Sequence, residues 1–203
     1  MRLLVDTDAF CKLAVAGMLH EAIGLLGVGL NDCGRLPALP HMLRRGGLQK
    51  TFGAAACDAL IPIAEALPVA GQASEGWLNK LTLIPDIDPG EAQLFAGAAE
   101  GNLMVLSGDK RALRALRNVV GFAGALSGRI VVLEAILLAL CDHLGPEVVR
   151  ERVQPLCSSD KVVQACFSPG NPDPAVALLS YCRSISAELH PLVLWEPHSG
   201  GRT

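Results

Sequence analysis

With 203 residues, about half of them apolar, and a formal net charge of −3, the chain can bury a sizeable core as one large domain or one domain with an appendage. It has no overall positive field to draw in nucleic acid. Two Trp and one Tyr exclude a row of base-stacking aromatics of the single-strand-binding kind. The seven cysteines are scattered, with no Cys-x-x-Cys, and acidic and basic residues interrupt the first twenty positions. Both features imply a reducing, cytoplasmic setting in which the thiols serve as small buried hydrophobes. Glu134, Asp142 and Gly or Pro residues break the long apolar runs, so no membrane span is expected.

The chain opens with Leu3-Leu4-Val5 running into Asp6-Thr7-Asp8. A short apolar run suits a strand buried on both faces. Carboxylates at its carboxyl end stand where open α/β sheets place ligands. Apolar spacing from Ala9 to about Gly27 predicts one helix. Residues 34–57 contain no acid but carry Arg35, Arg44, Arg45 and Lys50, and a helix is expected from Pro40 until Gly46-Gly47 interrupts it. Another helix covers 54–66. Leu81-Thr82-Leu83-Ile84 reads as a short strand. Asp88-Pro89-Gly90-Glu91 is a helix start with a capping box, and Gly101-Asn102 ends that helix. Leu103 to Leu106 is an apolar strand that delivers Ser107-Gly108-Asp109, with a helix from Lys110 to Arg117. Ile130 to Leu133 is a further strand, followed by Glu134, read as a cap or solvated residue, and an apolar helix to Leu144. Strands alternating with helices predict a parallel α/β architecture. Beyond Gly145-Pro146, residues 147–166 and 173–190 read as helices and 196–203 as a frayed tail.

Asp6 and Asp109 both end apolar strands and Glu91 opens a helix, so a parallel sheet can gather the three. Clustered carboxylates repel one another unless a positive charge lies between them. Hard divalent cations such as Mg²⁺ or Mn²⁺ take oxygen ligands of this kind and support phosphodiester hydrolysis. The five His residues form no His-x-x-x-His spacing, which argues against zinc.

Three motifs, Leu3 to Asp8, Asp88-Pro89-Gly90-Glu91-Ala92 and Leu103 to Arg111, resemble the PIN-domain family of metal-dependent ribonucleases, which includes toxin nucleases of toxin–antitoxin pairs. The resemblance covers roughly residues 1–135. It implies a three-layer α/β/α domain over 1–144 with a central parallel sheet, and residues 145–203 as a helical C-terminal extension. It further implies Asp6, Glu91 and Asp109 as catalytic ligands of Mg²⁺ or Mn²⁺, with Thr7, Asp8 and Ser107 as accessory acid or polar groups. Lys110, Arg111, Arg44 and Arg45 are the candidate contacts to RNA phosphates. An antitoxin or other protein partner and a homodimer are compatible with the extension. Where the family carries another acid, this chain has Arg44 and Arg45; Asp58 or Glu65 could stand in. A non-catalytic RNA- or protein-binding member of the fold is therefore the second reading. The strand ending in Asp6-Thr7-Asp8 also resembles the motif of haloacid-dehalogenase-like phosphatases, although no second Asp follows Asp109 within the next turns.

Overall fold

The runs at 3–5, 104–107 and 130–132 form three strands of one sheet in the computed structural model, which describes residues 1–197. Four strands, β1 (Leu3–Val5), β2 (Cys33–Arg35), β3 (Met104–Ser107) and β4 (Ile130–Val132), lie all parallel in the order β2-β1-β3-β4. Alternate side chains leave opposite faces. Leu3, Val5, Leu106 and Val131 enter one hydrophobic cluster, while Leu4, Val105, Ile130 and Val132 enter a second. Strands buried on both faces need no polar alternation, which is why they read as continuous apolar runs.

Helices cover both faces, as in a three-layer α/β/α arrangement. In chain order they are α1 (Thr7–Val15), α2 (Leu19–Leu25), α3 (Leu39–Arg44), α4 (Gly47–Phe52), α5 (Ala54–Ala66), α6 (Glu75–Leu78), α7 (Pro89–Gly101), α8 (Lys110–Leu116), α9 (Phe122–Ala125), α10 (Leu133–Leu144), α11 (Pro146–Arg152), α12 (Lys161–Cys166) and α13 (Pro174–Leu189). Among the described residues no helix is long and apolar enough to cross a membrane.

Three local expectations are corrected, and the structure adds one strand, β2, that the sequence does not announce. The single helix over 9–27 is two, because the chain turns at Gly17 with φ of +62°, a conformation glycine adopts at little cost. Residues 81–84 form turns rather than a strand: Leu81 is buried, but Leu83 is 87% exposed. β2 carries no apolar run; it is held as the edge strand by its pairing with β1 and by the buried Arg35, which donates to the Ala64 carbonyl at 2.5 Å and to the Leu36 carbonyl at 3.1 Å. The helix over 147–166 breaks at a short 3₁₀ turn, Gln154–Leu156, whose Pro155 lacks an amide donor.

The segment after Leu144 packs into both clusters. Val149, Val153, Leu156, Val163, Phe167 and Leu178 join the first, and Ile185, Leu189, Leu192 and Leu194 the second. Leu194 bridges to Ile130 at the edge of β4. Arg152 pairs with Glu21 at 2.9 Å, and Arg114 pairs with Glu188. The expected frayed tail lies, from residue 198 onward, outside the described residues.

Candidate active site

Sheet order β2-β1-β3-β4 reverses direction between β1 and β3. In open parallel sheets ligands bind beyond the strand ends at such a switch point. There the chain forms a cleft of about 710 Å³ lined by Asp6, Thr7, Asp8, Asp88, Glu91, Gly108, Asp109 and Lys110, with Leu36, Met42 and Leu48 as an apolar wall.

Each carboxylate is placed by local chemistry. Asp6 leaves β1 in extended geometry, its N–H donating to the Leu106 carbonyl at 2.9 Å. The backbone N–H groups of Thr7 and Gly108 lie near its side chain and favour its charged form. Asp8 lies against Gly108, where a Cβ would come within 2.9 Å of the Asp8 Oδ2; a side chain at 108 would displace that carboxylate. Glu91 completes the capping box of α7: its N–H donates to Asp88 Oδ1 at 2.8 Å, and its Oε2 accepts the Asp88 N–H at 2.7 Å. Asp109 caps α8 by accepting the Ala112 N–H at 3.0 Å, and its own N–H donates to Ser107 Oγ at 3.3 Å.

The acids crowd one another. Burial, then the neighbouring Asp8, raises the Asp6 carboxyl to about 6. Burial and the Asp109 carboxylate raise Glu91 to about 8. Asp109 moves the other way: burial opposes its charge, but the Ala112 N–H, a hydrogen bond from Glu91 and the Arg111 guanidinium hold it below the ordinary range. The pair thus favours a proton on Glu91 over one on Asp109. Among the described residues neither Asp6 nor Glu91 has a cationic partner at ion-pair distance. Arg111 approaches Asp109 at 3.6 Å.

Known proteins offer no guide. No protein-family model, curated protein or solved structure matches this chain. The site therefore rests on its own residues. Its donor set is oxygen-only and anionic, the chemistry that hard divalent cations take. The carboxyls meet in pairs, Glu91 with Asp109 and Asp6 with Asp8. Among the described residues no group of three or more His, Cys, Asp or Glu side chains is arranged to hold a metal ion, and Glu91 is engaged in its cap.

The cleft thus gathers six of the ten candidate residues: Asp6, Thr7, Asp8, Glu91, Asp109 and Lys110. Ser107 lies beneath, its hydroxyl accepting the Asp109 N–H. Arg44 pairs with Glu65 on α5; Arg45 is exposed, and neither arginine lines the cleft. Asp58 and Glu65 do not line it either. The Lys110 ammonium is drawn to Glu134, 2.5 Å away. Glu134 is wholly buried, neither a solvated residue nor a cap: neither oxygen makes an aligned hydrogen bond. Three features were not singled out from sequence: the apolar wall, Lys12, and Asp160 on the C-terminal segment. Lys12 stands four residues after Asp8, a spacing that signals an ion pair on a helix. Asp160 before Lys161-Val162-Val163 carries the signal of an N-cap, but nothing local tells what its second oxygen meets.

Proposed function

We propose that the cleft is the active site of a ribonuclease that hydrolyses RNA phosphodiester bonds with Mg²⁺ or Mn²⁺ held by Asp6, Glu91 and Asp109, in line with the resemblance to PIN-domain nucleases. The observation that carries this reading is the crowding of Asp6, Asp8, Glu91 and Asp109 at one sheet switch point, with Asp6 and Glu91 lacking a cationic partner. Carboxyl pairs that share one cleft repel one another, and a cation between them would relieve that repulsion.

A bound ion there would lower the pKa of a water and offset charge on the phosphate. The chain's own residues prepare the ligands: backbone N–H groups of Thr7 and Gly108 favour the charged form of Asp6, Ala112 fixes Asp109, and Asp88 fixes Glu91. Binding would require Glu91 to release its proton. Arg111, exposed beside Asp109, is the rim cation best placed for a phosphate. Leu36, Met42 and Leu48 offer a non-polar wall to a base or ribose.

Calorimetric titration of Mn²⁺ into the wild type and Asp109→Asn, followed by RNA cleavage assays of Asp6→Asn, tests the reading. Expected are Mn²⁺ binding lost in Asp109→Asn and cleavage abolished in a folded Asp6→Asn. Activity retained in Asp6→Asn would overturn it. A second reading, a non-catalytic RNA- or protein-binding module, is favoured by the engagement of Glu91 in its cap and by the lack, among the described residues, of three His, Cys, Asp or Glu side chains arranged to hold a metal ion; absence of Mn²⁺ binding in the wild type would establish it over the first.

A further inference from the structure

Between the acidic cleft and the C-terminal segment lies a buried chain of charges that the proposed chemistry does not use. Lys12, on α1, is nearly enclosed; its ammonium donates to Asp8 Oδ2 at 2.7 Å and to Asp160 Oδ2 at 2.6 Å. Asp160 is itself buried, and its other oxygen is taken: Oδ1 accepts the N–H groups of Val162 and Val163, both at 3.0 Å, at the start of α12. The cap fixes the Asp160 carboxylate independently of Lys12. Asp8, by contrast, is 45% exposed and faces the cleft. Of its two carboxylate partners, Lys12 therefore has one that is rigid and one that belongs to the site. The same Asp8 oxygen lies against Gly108, where a side chain would displace it.

We infer that Asp160 is a positioning residue of the acidic site: it anchors the Lys12 ammonium away from the cleft and, through it, fixes the Asp8 carboxylate beside Asp6. The inference rests on the reading that the cleft takes a divalent cation. Lys12 is the one ammonium paired to a cleft carboxylate among the described residues. Shared with Asp160, it cancels only part of the Asp8 charge. Released from Asp160, it would pair with Asp8 alone and oppose a cation at Asp6. A residue far along the chain thereby tunes the field at the sheet switch point without touching the reacting atoms.

The test is an Mn²⁺ titration of the full chain as wild type, Asp160→Asn, Lys12→Met and the double variant. Asparagine is as good an N-cap as aspartate, so α12 survives the change. Asp160→Asn is expected to weaken Mn²⁺ binding about tenfold, whereas the same change made in the Lys12→Met background should alter it by less than about twofold. Unchanged binding in Asp160→Asn, or an equal loss in both backgrounds, would overturn the inference, the latter because a merely structural role needs no Lys12. Carboxyl ¹³C NMR of the metal-free protein provides a readout independent of the cation: the Asp8 Cγ resonance should shift in Asp160→Asn and not when Asp160→Asn is added to Lys12→Met. If the wild type binds no Mn²⁺ but the Asp8 resonance shifts in this pattern, the cation reading fails and the positioning role stands. An unmoved resonance overturns the positioning role whatever the metal does.

Discussion

Asp6 and Glu91 bind protons more tightly in the folded chain than in the unfolded one. Their folded values, about 6 and about 8, lie above those of the unfolded chain, near 4. The stability they contribute is full below pH about 4 and is lost as pH rises through 6 and then 8. Asp109 and Asp160, held low by hydrogen bonds and by Glu91, Arg111 and Lys12, contribute in the opposite sense, above pH about 4. The metal-free protein should therefore melt at progressively lower temperature from pH 5 to pH 8. Asp6→Asn should flatten the first part of that decline and stabilise the chain at pH 8 by on the order of 2 kcal/mol, since asparagine keeps an acceptor oxygen near the Thr7 and Gly108 N–H groups. Thermal melts in chelator across this range check it; an unaltered slope in the variant would show that the strain at Asp6 is absent. The same substitution removes a proposed metal ligand, a trade of function for stability that acidic sites impose. The three acids were legible because each ends an apolar strand or opens a capped helix. Lys110 was legible as a cation, but not its partner, because Glu134 lies in a different element and only the pairing of β3 with β4 brings the two together.

Among the elements, α7 ties sequence to site most directly. Its capping box uses Asp88 and Glu91 reciprocally, and Pro89 adds a preset first-turn backbone. Asp88→Ala should cost about 1 kcal/mol of stability and free the N-terminal turn that holds Glu91, whereas Asp88→Asn should cost far less. Denaturant melts of the two variants distinguish loss of a cap from loss of a charge. This helix start was readable to the residue, since capping is a local signal. Strands β1, β3 and β4 were readable because burial on both faces leaves an unbroken apolar run. Leu81 to Ile84 shows the limit of the same signal: four residues cannot separate a strand from a turn that buries one leucine. β2 shows the converse, since Cys-Gly-Arg has no pattern and becomes a strand only because β1 offers it an edge.

For the whole molecule, the segment after Leu144 supplies side chains to both faces of the sheet, far more than an appendage needs. A chain cut after Leu144 should lose its cooperative thermal transition, because α1, α2, α8 and β4 would all lose apolar cover. A sharp melt of that fragment, followed by near-ultraviolet circular dichroism, would instead establish residues 1–144 as self-sufficient. Sequence gave the helices of this segment but not their docking, since contacts between distant elements leave no local trace.

The link from Lys12 to Asp160 joins residues 148 positions apart. On the ribosome, synthesis is vectorial, so β1, α1 and the first carboxylates emerge long before the residue that anchors Lys12. A chain still attached to its messenger and lacking the C-terminal segment has neither the anchor for Lys12 nor the apolar cover of both sheet faces, so the acidic site is assembled only on completion. If the finished molecule cuts RNA, the order of translation itself keeps the unfinished one from doing so.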